Sequence, residues 1–256
     1  MKLFLTSSPT GAYRSSEHPA FTGFDPSNGM VDELRRYWKE NSRCLMITSS
    51  PDDHVMNDRM REYFEGVVRD TGLSIACMDL CDGRNFSEAG TAAGAAMAID
   101  LSGYDMVILA GGHVPTQLQF FAKIQLRQAL QGFDGIVMGI SAGSMNCAEE
   151  VYAQPEMPGE AVSPSYQRFV PGLGLTDCRI LPHYQAVKGD FVDGMRLFED
   201  ITYPDSYGRR FYAIVDGTYL LQTEDRKEIR GEAYLIADGG IRKICEKDGV
   251  YRSSAW

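Results

Sequence analysis

Short apolar runs alternate along the chain with stretches whose apolar positions recur every three or four residues. The runs fall at residues 2–7, 43–49, 73–80, 105–110 and 135–140, and each is followed by Gly, Ser, Pro or Asp. Within them apolar residues are nearly continuous rather than alternating, which predicts strands buried on both faces of a parallel sheet. Between them, Val31, Leu34 and Trp38 keep helical spacing, as do Met60, Tyr63, Phe64, Val67 and Val68. Pro115 opens a third helical segment, where its fixed φ suits the first turn, and Gly132 closes it. Strand followed by helix, repeated, predicts a doubly wound, mostly parallel α/β sheet with helices on both faces.

From 151 to 177 the character changes. Pro155, Pro158, Pro164 and Pro171 interrupt any periodicity, so this segment is expected to be a long functional loop with a covering role. A strand at 178–181 and a helix around 190–201 are expected next, then β segments at 211–215, 219–222, 232–237 and 241–244. Asp216-Gly217 and Gly239-Gly240 carry the signal of tight turns, so these last segments are expected to close as a small antiparallel C-terminal extension. No repeat or linker divides the chain, and residues 1–256 are expected to form one domain.

Composition narrows the function classes. With 44% hydrophobic and 23% charged residues the chain is that of an ordinary globular protein. A net charge of −10 makes nucleic acid and anionic membranes poor partners. No window approaches the roughly 18 apolar residues of a spanning helix, and the opening apolar residues run at once into Thr6, Ser7 and Ser8, so a cytoplasmic protein is expected. Six cysteines, Cys44, Cys77, Cys81, Cys147, Cys178 and Cys245, lack zinc or redox spacing and are expected to be reduced and mostly buried.

The candidate chemistry begins at Gly139-Ile140-Ser141-Ala142-Gly143, directly after the fifth apolar run. A serine at a strand-to-helix turn projects its hydroxyl, and flanking glycines remove side chains that would clash there. A serine nucleophile needs a base, and the chain has four histidines. His18 and His54 lie in Pro- and Asp-rich polar stretches and are expected at the solvated surface. His183, in Leu181-Pro182-His183-Tyr184, follows a strand at the edge where such sheets place ligand-facing loops. A carboxylate to orient the imidazole is available from Glu149, Glu150, Glu156 and Glu160, among which residue type and position make no choice. Ile108-Leu109-Ala110-Gly111-Gly112-His113 ends a strand in paired glycines, so that a backbone N–H can approach an oxyanion. The spacing of a phosphate-binding loop is absent.

In this order, Ala110-Gly111-Gly112-His113, Gly139-Ile140-Ser141-Ala142-Gly143-Ser144, Glu156-Met157-Pro158, Pro182-His183-Tyr184 and Lys188-Gly189 resemble peptidase family S51. That family holds the aspartyl dipeptidases and cyanophycinases, on a fold related to class I glutamine amidotransferases. The resemblance implies Ser141 as nucleophile, His183 as base, and the N–H groups of Gly112 and Ala142 as oxyanion donors. It also implies Glu156 as the third triad member, standing where peptidase E has Asp, with Glu150 in reserve. His113 replaces the Asn of peptidase E beside the oxyanion hole. Val192 stands where peptidase E carries the Arg thought to read an acidic substrate, and Arg196, four residues on, is the candidate replacement. The expected activity is hydrolysis of small peptides through an acyl-enzyme, by a monomer or homodimer without metal or organic cofactor. The alternatives are a cyanophycinase-like β-aspartyl hydrolase and a non-catalytic binding module on the same fold.

Overall fold

The computed structural model describes residues 1–11, 22–86, 98–253 and 256. His18 lies outside them. All five apolar runs are strands: β1 (Lys2–Thr6), β2 (Ser42–Ile47), β3 (Ile75–Cys81), β4 (Met106–Leu109) and β5 (Ile136–Ile140). They pair in parallel in the order β1-β5-β4-β2-β3. Two cores explain why these strands are apolar throughout. Leu3 and Leu5 of β1 join one cluster while Phe4 joins the other, and in β2 Leu45 and Ile47 are likewise opposed to Cys44 and Met46.

Helices cover both faces. Residues of α1 (Met30–Tyr37) and α2 (His54–Asp70), namely Val31, Leu34, Phe64, Val67 and Val68, pack in the Phe4 cluster. Residues of α3 (Val114–Lys123) and α4 (Leu126–Leu130), namely Phe120, Phe121, Leu126 and Leu130, pack in the other. Asp53 caps α2 by accepting the Met56 N–H at 3.2 Å, and Pro115 sits in the first turn of α3. His54, the first residue of α2, is exposed.

Beyond the short α5 (Ala142–Met145) the chain departs from expectation in three places. The predicted loop at 151–177 folds back on itself as an antiparallel pair, β6 (Glu150–Tyr152) with β7 (Phe169–Pro171). After β8 (Arg179–Leu181) and α6 (Tyr184–Val187), the helix expected around 190–201 is instead a hairpin followed by a π-helical turn. Its strands β9 (Phe191–Val192) and β10 (Met195–Arg196) meet at Asp193-Gly194, both at positive φ (52° and 81°), and Leu197–Thr202 and α7 (Tyr203–Asp205) follow. An Asp-Gly pair is a strong signal for a two-residue hairpin loop, and here it prevails over the helical spacing of the neighbouring apolar residues.

The third departure concerns the C-terminal strands, which do not form one extension. β12 (Tyr219–Gln222), β13 (Lys227–Arg230) and β16 (Val250–Tyr251) add to the main sheet beyond β1, giving eight strands in the order β16-β13-β12-β1-β5-β4-β2-β3. β11 (Arg210–Ile214), β14 (Ala233–Ala237) and β15 (Gly240–Cys245) form a second sheet with β8, ordered β15-β14-β11-β8. Asp216-Gly217 therefore links two sheets rather than closing a hairpin. Among the described residues no helix is long and apolar enough to cross a membrane.

Candidate active site

Ser141 stands between β5 and α5 with φ 51° and ψ −113°, a region that L-residues occupy only when the surroundings impose it. The imposition comes from tight packing, since a Cβ on Gly143 would collide with the carbonyl of Leu109 at the end of β4. Thr6, at the end of β1, completes the clamp: its carbonyl accepts the Ser141 N–H at 3.1 Å and the Ser144 hydroxyl at 2.7 Å. Gly111 lies beside Ser141, where a Cβ would come 3.3 Å from the serine Cβ. The Ser49 hydroxyl donates to the Gly111 carbonyl at 2.6 Å and fills the space that a Cβ on Gly112 would need. In a trans peptide the carbonyl and the following N–H point in opposite directions, so this bond turns the Gly112 N–H away from Ser49.

His183 and Asp216 reach Ser141 from the second sheet. β8 and β11 are parallel neighbours with Leu181 opposite Ala213, so the chain just past each strand emerges at the same edge. Nε2 of His183 lies 2.9 Å from the Ser141 Oγ, and its Nδ1 lies 2.7 Å from Oδ1 of Asp216. With Asp216 fixing the proton on Nδ1, Nε2 is left as an acceptor facing the serine hydroxyl. Gln185, in α6, donates through Nε2 to the other carboxylate oxygen of Asp216 at 2.5 Å and accepts the Asp216 N–H at 3.2 Å. Ser7, wholly buried, touches both His183 and Asp216. Ser7, Gln185 and Asp216 were not singled out by sequence reasoning. The one signal for Asp216 was the Asp-Gly pair, which reads as a turn.

The glutamates expected to supply the acid go elsewhere. Glu156 lies near His113, Glu160 and the Val114 N–H, and the carboxylate found on the His183 ring is that of Asp216. Glu150 pairs with Arg179 at 2.6 Å and with Arg209 at 3.4 Å, and Glu149 is exposed. Glu160 holds Nε2 of His113 at 2.8 Å and accepts the N–H groups of Glu156 and Met157 at 2.9 and 3.0 Å. Partial burial works against its charge, but those two N–H groups and the His113 ring keep its pKa below the ordinary carboxylate value. His113 also bonds Thr116 at 2.7 Å, so both its ring nitrogens tie the 156–160 segment to the start of α3.

Arg196 does not take the place of the missing arginine at Val192. On the β9–β10 hairpin it pairs across from Phe191, whereas the helical spacing assumed from sequence would have put it on the face of Val192. Its guanidinium is held by Asp200 at 2.6 and 3.0 Å. Cys147 is no rival nucleophile. It is fully buried, and burial raises its thiol pKa far above the usual range. All six cysteines are unpaired, five buried and Cys77 half-buried.

Comparisons with known proteins bear on the fold and the family. No curated protein matches the chain in sequence. The solved structure of a peptidase from an acI-B1 Actinobacterium shares the fold with a TM-score of 0.59 at 14% identity, over 98% of this chain and 96% of that one. The model of peptidase family S51 matches residues 88–230, which span β4, Ser141, His183 and Asp216. That match runs over more than half of the sequence, and the chain therefore belongs to peptidase family S51.

Proposed function

We propose that this peptidase is a serine-type hydrolase of small peptides working through Ser141, His183 and Asp216. The observation that carries the reading is the unbroken chain of contacts from Ser141 Oγ to His183 Nε2 at 2.9 Å and from His183 Nδ1 to Asp216 at 2.7 Å. The Ser141 Oγ attacks the scissile carbonyl as its proton passes to Nε2. The resulting oxyanion accepts the N–H groups of Gly112 and Ala142, which adjoin Ser141 along the two strand ends. His183 then returns the proton to the leaving amine. Water attacks the acyl-enzyme by the same route and restores Ser141. Asp216 stays ionised throughout and keeps the imidazole in the required tautomer.

Asp216 takes the role that family resemblance suggested for Glu156. An acidic side chain on the substrate has no evident reader in Arg196, whose charge is engaged by Asp200. The doubly wound sheet with its nucleophile after β5 supports kinship with class I glutamine amidotransferases, with serine in place of their thiol. The net charge of −10 supports a small-molecule substrate over a nucleic acid. We take the chain as one hydrolytic domain of the cytoplasm, a monomer or homodimer.

The experiment is a dipeptide panel of Asp-X, β-Asp-X, Glu-X and neutral members, with wild type beside Ser141→Ala. Cleavage of any member by wild type alone supports the serine mechanism, and the member preferred separates an aspartyl dipeptidase from a β-aspartyl hydrolase. Activity retained in clean Ser141→Ala protein would overturn the reading.

A further inference from the structure

The end of β1 and the two residues after it touch every member of the relay. Thr6 holds the backbone of Ser141, Ser7 touches His183 and Asp216, and the Ser8 carbonyl accepts the Gly217 N–H at 3.4 Å. Ser7 makes the most informative contacts. Its Oγ lies 2.7 Å from the backbone N of His183, 2.6 Å from Oδ1 of Asp216 and 3.2 Å from Nδ1 of His183.

A serine hydroxyl has one proton to give and two lone pairs. The His183 backbone N–H donates into one lone pair. The Ser7 proton goes to Asp216 Oδ1, because donating it to Nδ1 instead would leave a lone pair against a carboxylate oxygen at 2.6 Å. The remaining lone pair faces Nδ1, which must then carry a proton. Ser7 and Asp216 thus impose the same tautomer, the one in which Nε2 accepts from Ser141. The backbone bond has a second effect. His183 sits in the left-handed region at φ 58° and ψ 24°, uncommon for a residue with a Cβ, and Ser7 anchors the N–H of that strained peptide. Ser7 is itself inaccessible to substrate, so it is no alternative nucleophile.

We propose that Ser7 is a positioning residue of the proton relay, fixing the His183 backbone and the Asp216 carboxylate so that the imidazole presents an unprotonated Nε2 to Ser141. The proposal rests on the Ser141-His183-Asp216 reading, and its test separates the two. The probe is diisopropyl fluorophosphate. The Ser141 Oγ forms a bond to phosphorus, fluoride leaves, and the serine proton passes to His183, so the labelling rate reads the relay without knowledge of the natural substrate. Labelling would be followed by intact mass for wild type, Ser7→Ala, Ser7→Cys and Ser7→Thr, with Ser141→Ala and Asp216→Asn alongside. The low-field proton signal of His183 Nδ1 and thermal unfolding would be recorded for each.

Ser7→Ala is expected to label roughly 10- to 100-fold more slowly, the worth of one or two hydrogen bonds to a charged group. Its Nδ1 proton signal should shift or broaden, and Ser7→Thr, which keeps the hydroxyl, should recover most of the rate. Should Ser7→Ala not fold, Ser7→Cys retains the approximate size with a much weaker donor and decides the matter. Wild-type labelling in a folded Ser7→Ala or Ser7→Cys protein, with Asp216→Asn slow, overturns the role of Ser7 alone. A slowed rate that Ser7→Thr does not recover, with the proton signal unchanged, assigns the loss to packing and also overturns it. Wild type that does not label, or label found on Ser141→Ala, overturns the relay reading and this proposal with it.

Discussion

The two halves of the candidate site are built in opposite ways. The half around Ser141 is compact: the residue is held by the β5 end, the tight elbow, the adjoining β4 end and the Thr6 carbonyl of β1, all from neighbouring parallel strands of the main sheet. The relay half gathers Ser7, His183 and Asp216 from three distant stretches and two sheets. A local device advertises itself through backbone demands that only certain residues meet. A gathered device has no such signature, since each member answers only to partners far away in the chain.

The sharpest test of that contrast is the identity of the acid. Asp216→Asn is expected to lower kcat by about 10⁴, since the amide no longer fixes the tautomer. Glu156→Gln should leave kcat within about threefold, as for other exposed positions. The reverse ranking, measured on any cleaved dipeptide, would move the acid to the loop. Next in size is Gly112→Ala, which forces Ser49 aside and turns an oxyanion donor away. Its expected cost is about 10²–10³ in kcat, with a smaller change in KM.

Gly143→Ala tests the elbow itself. The added methyl meets the Leu109 carbonyl, so a loss of about 1–3 kcal/mol in unfolding free energy is expected, visible as a lower denaturation midpoint. The loop tie of Glu160 should show a gentler effect. Its folded pKa is depressed, so the stabilisation is present above the ordinary carboxylate pKa and is lost as pH falls through the lower folded value. Proteolytic nicking near residues 156–163 should therefore rise in acid. Glu160→Gln should nick readily already at neutral pH, whereas a wild-type pattern there would show that the tie contributes nothing. The smallest expected effect is on thiol chemistry. Burial pushes the Cys44 and Cys81 thiols up to about 12 and Cys147 higher still, so iodoacetamide at neutral pH should leave Cys147 unmodified and the activity intact.

How much was legible follows the same division. The five parallel strands, helices α1 to α3 and the elbow were readable, because continuous apolar runs and a Gly-x-Ser-x-Gly turn each reflect a local constraint, while His183 was picked out of the gathered group only because histidines are few and this one follows an apolar strand. Two Asp-Gly pairs misled in opposite directions. Asp193-Gly194 makes a real hairpin where the flanking apolar residues suggested a helix, and Asp216-Gly217 resembles a hairpin but carries the chain from one sheet to the other. Only the pairing of β11 with β8, and of β12 with β1, distinguishes the second case. β7 escaped notice because it is three residues long and ends in Pro171. Ser7 was unreadable for a different reason. A serine at a strand end is ordinary in any sheet, and its importance comes from what folds against it.

The central place of β1 has a consequence for how the enzyme comes into being. β1 lies between β5 and β12, paired with residues 136–140 on one side and 219–222 on the other. Both partners of β1 thus lie far along the chain from it, a topology of high contact order. A growing chain that has already formed its elbow still lacks the clamp on its histidine until the stretch bearing Asp216 and β12 has left the ribosome. The contact of Ser7 with Asp216 is thus a product of long-range strand pairing, made only once β1 lies against β12.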